Sequence, residues 1–303
     1  MAPKVSIAMP VYNGQRYVGQ TIESLLGQTF GDFEFVISDN ASTDDTEAIC
    51  RRYAATDCRI RYVRRETNIG GPRNFGYVFS LCIGDYVKWT TADDLSDRRF
   101  LEEAVAVLDA DPDVALCFPR TRLIDAEGAP ISDYDDNLDV RDASPRVRFR
   151  EVYRRIGLCN AQLGLARRSA MARTGLMAPH GASDEDYLGE LALYGKFHML
   201  PEVRFFRRFH PEASSWARSD WSHQVHYYSP GACRPPKFDL WRRFAYQFRM
   251  VWRSPIGLAD KLALTADVGR WMRHSRNVLW REICNGRPNM NRISDTSKER
   301  ERT

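Results

Sequence analysis

Val5-Ser6-Ile7-Ala8-Met9-Pro10-Val11-Tyr12-Asn13-Gly14 is a short apolar run that stops at Pro10 and turns at Asn13-Gly14. Phe33-Glu34-Phe35-Val36-Ile37-Ser38-Asp39-Asn40 repeats the plan, an apolar run closed by polar turn residues. Between the two, residues 15–29 place Tyr17, Val18, Ile22, Leu25 and Leu26 at helical spacing, so a strand, a helix and a second strand follow one another. The alternation continues outward. Ser42-Thr43-Asp44-Asp45 has the composition of a helix start before residues 45–55. Ile60–Val63 is a third strand and residues 72–82 a third helix, and Tyr86–Trp89 is a fourth strand. A helix over 97–109 and a strand at Val114–Phe118 complete the series. Strands alternating with helices of this length predict an α/β fold with a mostly parallel sheet covered by helices on both faces.

Ligands of such sheets gather at the carboxyl ends of the strands. Asn13 follows the first strand, Asp39 ends the second, and Asp93-Asp94 follows the fourth. Asp39 could accept hydrogen bonds from a base or ribose, or serve as a turn residue. Adjacent Asp93 and Asp94 could hold a divalent cation, which commonly binds one or two carboxylates plus substrate phosphates, or could cap a helix. Asp184-Glu185-Asp186 opens a helix whose apolar side is Leu188, Leu191 and Leu193. Acids in a first turn suit the helix dipole, and three together also suit a general base. Arg207, Arg208 and His210 follow an apolar strand at Val203–Phe206, a grouping suited to metal or phosphate contact. Gly70-Gly71-Pro72 starts a helix without a dinucleotide fingerprint. A Walker loop, HExxH, clustered Cys/His spacing and GxSxG are all absent, which removes the usual grounds for hydride transfer, zinc proteolysis or serine hydrolysis.

These elements together resemble the GT-A glycosyltransferases of family 2. The 5–14 stretch looks like that family's opening strand and loop, and residues 33–44, ending Asp39-Asn40-Ala41-Ser42-Thr43-Asp44, like its second strand and D-[DN]-[GA]-S-x-D turn. Asn68-Ile69-Gly70-Gly71-Pro72-Arg73-Asn74-Phe75-Gly76 is similar to its N-x-G…RN-x-G segment, and Thr91-Ala92-Asp93-Asp94 stands in the place of its D-x-D-D motif. The likeness covers roughly residues 4–125 and weakens over 150–215. It implies a nucleotide-diphosphate sugar donor contacted by Pro10, Val11, Tyr12, Asn13, Asp39, Asn68, Gly70, Arg73, Asp93 and Asp94. Asp39 would read the base and Arg73 would lie near the phosphates. Asp93 and His210 would be the metal ligands, for Mg2+ or Mn2+. Thr91 replaces the first acid of the motif, with Asp94 available to compensate. Asp184 best matches the family's catalytic acid, since Leu188 and Leu191 follow it at +4 and +7. Asp186 is the competing assignment and Glu185 a third. The implied reaction is an inverting transfer to an acceptor hydroxyl, in synthesis of a cell-surface glycan or glycolipid, with a glycan or lipid-linked acceptor.

The 303 residues carry a net charge of +4, unevenly distributed. Residues 1–232 have a net of −5 and residues 233–303 a net of +9. The expected organisation is a catalytic domain over 1–232 (a donor half at 1–125, an acceptor half at 126–232), a basic aromatic helical extension over 233–284, and a disordered tail at 285–303. Residues 125–150 are polar and acidic and read as a long loop. In the extension, Trp241, Phe244, Phe248 and Trp252 interleave with arginines. They suit either an anionic membrane surface or packing on the catalytic domain. Seven cysteines without a CxxC pair fit free thiols in a reducing compartment. With neither a signal peptide nor a membrane-spanning run, the expected place is the cytoplasm, with peripheral contact at the inner face of the cell membrane. Two rivals come from other classes. A nucleotide-sugar-binding protein without transfer activity is suggested by Thr91. A nucleic-acid binder is suggested by the basic end, although no helix-turn-helix, RRM or zinc-finger pattern supports it.

Overall fold

The computed structural model describes residues 2–211, 213, 227–228, 230 and 237–285. Its centre is a nine-stranded sheet of order β3-β2-β1-β4-β8-β6-β9-β5, with β7 paired to β6. The strands are β1 (Val5–Val11), β2 (Phe33–Asp39), β3 (Ile60–Arg64), β4 (Tyr86–Trp89), β5 (Leu95–Ser96), β6 (Val114–Ile124), β7 (Pro130–Tyr134), β8 (Leu165–Arg167) and β9 (Lys196–Arg208). β3, β2, β1 and β4 run parallel, while β8, β5 and β7 run against their neighbours. The GT-A-like α/β reading holds, with its second half a mixed sheet.

β1 is buried along almost its whole length, as a strand covered on both faces must be. Its alternation sorts the two layers. Val5, Ile7, Met9 and Val11 face one core with α1 (Val18–Leu26) and α4 (Phe100–Ala110), where Ile22, Leu25, Phe100 and Leu101 pack. Ala8 faces the other core, with Phe75 and Val78 of α3 (Gly71–Ser80) and Tyr187, Leu188 and Leu191 of α7 (Ser183–Leu191). α2 (Thr46–Thr56) closes on β3. β1 has β2 on one side and β4 on the other, so the strand order reverses there, and the crevice at their carboxyl ends is where such sheets bind ligands.

Residues 125–150 are not one long loop. They contain β7 and the start of α5 (Pro145–Arg155), whose N-cap Ser144 accepts from the Val147 N–H with Pro145 in the first turn. The acidic composition misleads there because Asp133 pairs with Arg122 across the β6–β7 ribbon. A short α6 (Arg168–Met171) precedes α7. The extension forms α8 (Asp239–Arg253), α9 (Leu258–His274) and α10 (Arg276–Asn285). Met250, Val251, Ile256 and Leu264 pack on Phe149 and Tyr153 of α5 and on Leu193. Phe244 is buried against Val268 and Leu279, with Trp241 and Phe248 packed around it. Trp241, Phe244 and Phe248 thus pack within the extension, on α9 and α10, and the expected packing of these aromatics on the catalytic domain is not what is found; Trp252 is exposed. The boundary at Cys233 and the tail beyond 285 lie outside the described residues. The six described cysteines are free, and no helix among the described residues is long and apolar enough to cross a membrane.

Candidate active site

The loops after β1 and β2 are stitched together by side chains bonded to backbone. Asn13, at φ 51°, accepts through Oδ1 from the Thr43 N–H at 2.8 Å, and its own N–H donates to Ser42 Oγ at 3.0 Å. Asparagine tolerates this left-handed backbone better than most residues. The Gly14 and Gln15 amides donate to Thr46 Oγ1 and Asp44 Oδ2. Asp39, wholly buried, accepts from the Ser42 N–H at 2.8 Å and from the Tyr62 hydroxyl at 2.6 Å. Burial, then the bond to Asp39, pushes the Tyr62 hydroxyl well above its usual range, so it remains a donor.

The Asn68–Gly76 segment is fixed in the same manner. Asn40 and Asn68 bond through their amides at 2.7 Å, while the Ile69 and Gly70 N–H groups donate to Asn40 and Asn68. Gly70 has φ 87°, a conformation that costs an L-residue free energy. Asn74 bonds reciprocally with Ser38 at the end of β2. Arg73, one residue before it, is exposed. Pro10, Val11 and Tyr12 line the exit of β1, Tyr12 being the most exposed of the three.

The loop after β4 meets the end of β9. Thr91 donates to Asp94 Oδ2 at 2.5 Å, the Arg208 N–H donates to Asp94 Oδ1 at 2.8 Å, and Arg208 Nε donates to the Asp93 carbonyl at 3.0 Å. The buried Asp94 carboxylate is thus engaged in holding this turn. Burial, reinforced by the neighbouring Asp93, raises its carboxyl to about 7. Both Asp94 oxygens face protein donors in this arrangement, which does not match the expectation that Asp94 replaces the missing acid at a metal. Asp93 behaves differently. Its Oδ2 lies 3.0 Å from His210 Nε2, although 117 residues separate them. The His210 ring is buried against Tyr17, with a centroid distance of 4.8 Å. Its Nδ1 has no hydrogen-bond partner among the described residues. A carboxylate and an imidazole so placed fit a divalent cation whose other ligands are phosphate oxygens and water. Three or more His, Cys, Asp or Glu side chains do not gather as a complete metal cage among the described residues.

The three acids of α7 divide between two faces. Asp184 shares its side of the helix with Tyr187, Leu188 and Leu191, at i+3, i+4 and i+7. Tyr187 packs 4.8 Å from Trp89, the last residue of β4, so this side faces the sheet. Asp184 is half-buried. Asp186 points to α5 and α8, where it is wholly buried. It accepts there from Tyr153 at 2.6 Å, Gln247 at 2.8 Å and Arg243 at 3.2 Å. Glu185 pairs with Arg243 at 2.6 Å.

Sequence reasoning grouped Arg208 with His210 for metal or phosphate contact and missed its role in tying Asp93 to the 125–126 turn and to Gln20. It also missed the scaffold roles of Asn40 and Asn74, although both stand inside the quoted motifs. Arg243 could not have been found from any local pattern.

The sheet, with its crossing loops at the carboxyl ends of the strands, defines an α/β protein of GT-A fold. The model of the glycosyl transferase family 2 matches residues 6–160, and the chain belongs to that family. EpsE of Bacillus subtilis (strain 168) is 39% identical over 108 residues, 35% of this chain and 39% of EpsE. Chondroitin synthase of Escherichia coli is 28% identical over 227 residues, 74% of this chain and 32% of that enzyme. The matches thus span well under half of either relative. Among solved structures, Staphylococcus aureus TarS (residues 1–349) in complex with UDP-GlcNAc superposes with a TM-score of 0.65 at 18% identity, covering 90% of this chain and 73% of that one. The mannosyltransferase PcManGT of Pyrobaculum calidifontis, in complex with GDP-Man and Mn2+, gives 0.53 at 19% identity over 93% and 85%.

Proposed function

We propose that the protein transfers a sugar, with inversion, from a nucleotide-diphosphate sugar to an acceptor hydroxyl, and that Asp184 is the base. The observation that carries the reading is the meeting of Asp93 and His210 past the carboxyl end of β4. Asp184 takes the proton of the acceptor hydroxyl, which attacks the anomeric carbon opposite the departing diphosphate. A base in this role must come within about 2.6–3.2 Å of that hydroxyl, or reach it through one water. Asp39, with the loop from Pro10 to Asn13, is assigned to the base and ribose, and Asn68, Gly70 and Arg73 to the phosphate side. Asp93 and His210 would hold Mg2+ or Mn2+, which when bound would stabilise negative charge on the leaving diphosphate. Support comes from the donors named for TarS and PcManGT and from the Mn2+ named for PcManGT.

The test begins with thermal-shift stabilisation by a panel of nucleotide sugars with Mn2+, followed by assay of transfer or donor hydrolysis. Asp184→Asn should abolish transfer and retain donor binding, and Asp93→Asn should weaken the metal-dependent part of donor binding. Full activity in Asp184→Asn removes the assignment.

A lipid-linked acceptor at the inner face of an anionic membrane is supported by the outer surface of the extension. Trp280 is 66% exposed, Leu258 64% and Leu262 55%, and the exposed acidic or basic side chains of α9 and α10 are Arg270, Arg273, His274, Arg276 and Arg281. Apolar side chains beside cations suit an anionic interface. Flotation with phosphatidylglycerol vesicles and not with phosphatidylcholine vesicles is the expected result; no flotation with either rejects this partner.

A further inference from the structure

Helix α8 holds the catalytic helix at four places. Before α7 begins, the Gly181 N–H donates to the Asp239 carboxylate, 3.1 Å to the nearer oxygen, where Asp239 is the first residue of α8. In the first turn, the Arg243 guanidinium spans both acids that follow Asp184. Nη2 donates to Glu185 at 2.6 Å and Nε to Asp186 at 3.2 Å. Gln247, one turn further along α8, donates to the same Asp186 at 2.8 Å. In the second turn, Arg253 makes a two-pronged pair with the buried Glu190, which also accepts from Tyr246 at 2.7 Å and from the Gly175 N–H at 2.9 Å. Burial opposes the Arg243 charge, and Asp186 with Glu185 outweighs it, so the guanidinium is charged and held.

We infer that Arg243 is a positioning residue for the transfer step: it fixes the first turn of α7, and with it the direction in which Asp184 meets the acceptor hydroxyl. The inference rests on the reading of Asp184 as the base. Its geometry is particular. A planar guanidinium bonded to both i+1 and i+2 fixes the rotation of the turn about the helix axis as well as its place, because the two carboxylates leave the helix about 100° apart. A displacement of about 1 Å at a catalytic group can cost on the order of 100-fold in rate, so a small rotation of this turn reaches the chemistry. The aspect of α7 that sees α8 carries Asp186 and Glu190, separated by one turn, while the aspect that sees the sheet carries Asp184 and Tyr187.

The test uses the full chain with donor, Mn2+ and acceptor. Arg243→Met should lower kcat for transfer by about 100-fold while leaving donor affinity, measured by titration, within about threefold. Arg243→Lys, which keeps the charge and loses the two-pronged grip, should fall between the two. If Arg243→Met does not fold, Glu185→Gln is measured instead. It weakens one arm of the grip at the more open edge of the site, and it should lower kcat without changing donor affinity. Wild-type kcat in folded Arg243→Met, or in Glu185→Gln where the former does not fold, overturns the inference, as does equal loss of kcat and donor binding. Asp184→Asn separates the two readings: if it is active the base is wrong, and if it is inactive while Arg243→Met is fully active only the positioning role is wrong.

Discussion

The donor end of the sheet and the helical extension are both rich in polar contacts, but they make them differently. At the donor end, short side chains bond to nearby backbone: Asn13 to Thr43, Asp39 to Ser42, Asn40 to Ile69 and Asn74 to Ser38. Each contact satisfies a loop amide or carbonyl that a strand exit would otherwise leave without a partner. In the extension, long charged side chains reach buried carboxylates on another helix: Arg243 to Asp186, Arg253 to Glu190, Arg150 to Asp267. The first kind of contact shapes the chain where it stands. The second kind joins two bodies of helix, and it is costly to break from one side, because a charge is then left buried without its partner.

The largest expected effect follows from that asymmetry. Ending the chain after residue 238 removes the arginine partners of Asp186 and Glu190 together and exposes Phe149, Tyr153 and Leu193. Stranding each buried carboxylate costs about 3–5 kcal/mol, against a total stability of about 5–15 kcal/mol for a typical domain. The truncated chain should lose its cooperative thermal transition and elute as aggregate in gel filtration. A soluble 1–238 fragment that still transfers sugar would show that the two regions are independent, and the contrast drawn above would fail.

A smaller effect is expected from the donor end. A Cβ on Gly71 would lie 2.4 Å from the Tyr227 ring, too close for any real contact. Overpacking of this sort costs about 1–3 kcal/mol. Gly71→Ala should therefore leave the fold intact and weaken donor binding, as read by titration with UDP-sugars or GDP-sugars. Unchanged donor affinity would place Tyr227 and Gly71 outside the donor's reach.

The same contrast explains what the sequence made legible. Asp39 and Asp93 could be singled out because each stands where the chain leaves a strand at the carboxyl end of the sheet, and Asn68 and Gly70 through the family likeness. The strand–helix alternation over the first 118 residues follows from apolar periodicity for a related reason, since each element buries its own face. The Asp93–His210 pair needed the whole fold to bring its partners across 117 residues, and was anticipated only through the family likeness. The different surroundings of Asp184 and Asp186 were not legible, because they depend on α8, whose contacts with α7 leave no mark in the local spacing. Likewise the acidic run over 133–142 looked like solvated loop. Its acids are instead committed to arginines and turns, as with Asp133 on Arg122 and Asp139 on Arg141. Phe244 and Trp241 looked equally fit for lipid or core, and only the docking of α10 against them decides it.

The smallest expected effect concerns a carboxylate of the extension that has no cationic partner among the described residues. Glu282 of α10 accepts from the Leu240 N–H at 3.2 Å, and its Oε2 is buried without a hydrogen-bond partner among the described residues. Burial raises its carboxyl above the ordinary glutamate value, and Asp239 nearby adds to the shift. The sign follows from linkage. The folded state holds this proton more tightly than the unfolded state. Its contribution to stability is therefore fully present below the unfolded value near 4.5 and is lost as pH rises through the raised folded value. Glu282→Gln keeps an oxygen for the Leu240 N–H and removes the titration. Thermal melts of the two proteins should nearly coincide at pH 4, and the variant should melt higher at pH 7. The opposite order at pH 7 would mean that Glu282 is held as a charged partner instead.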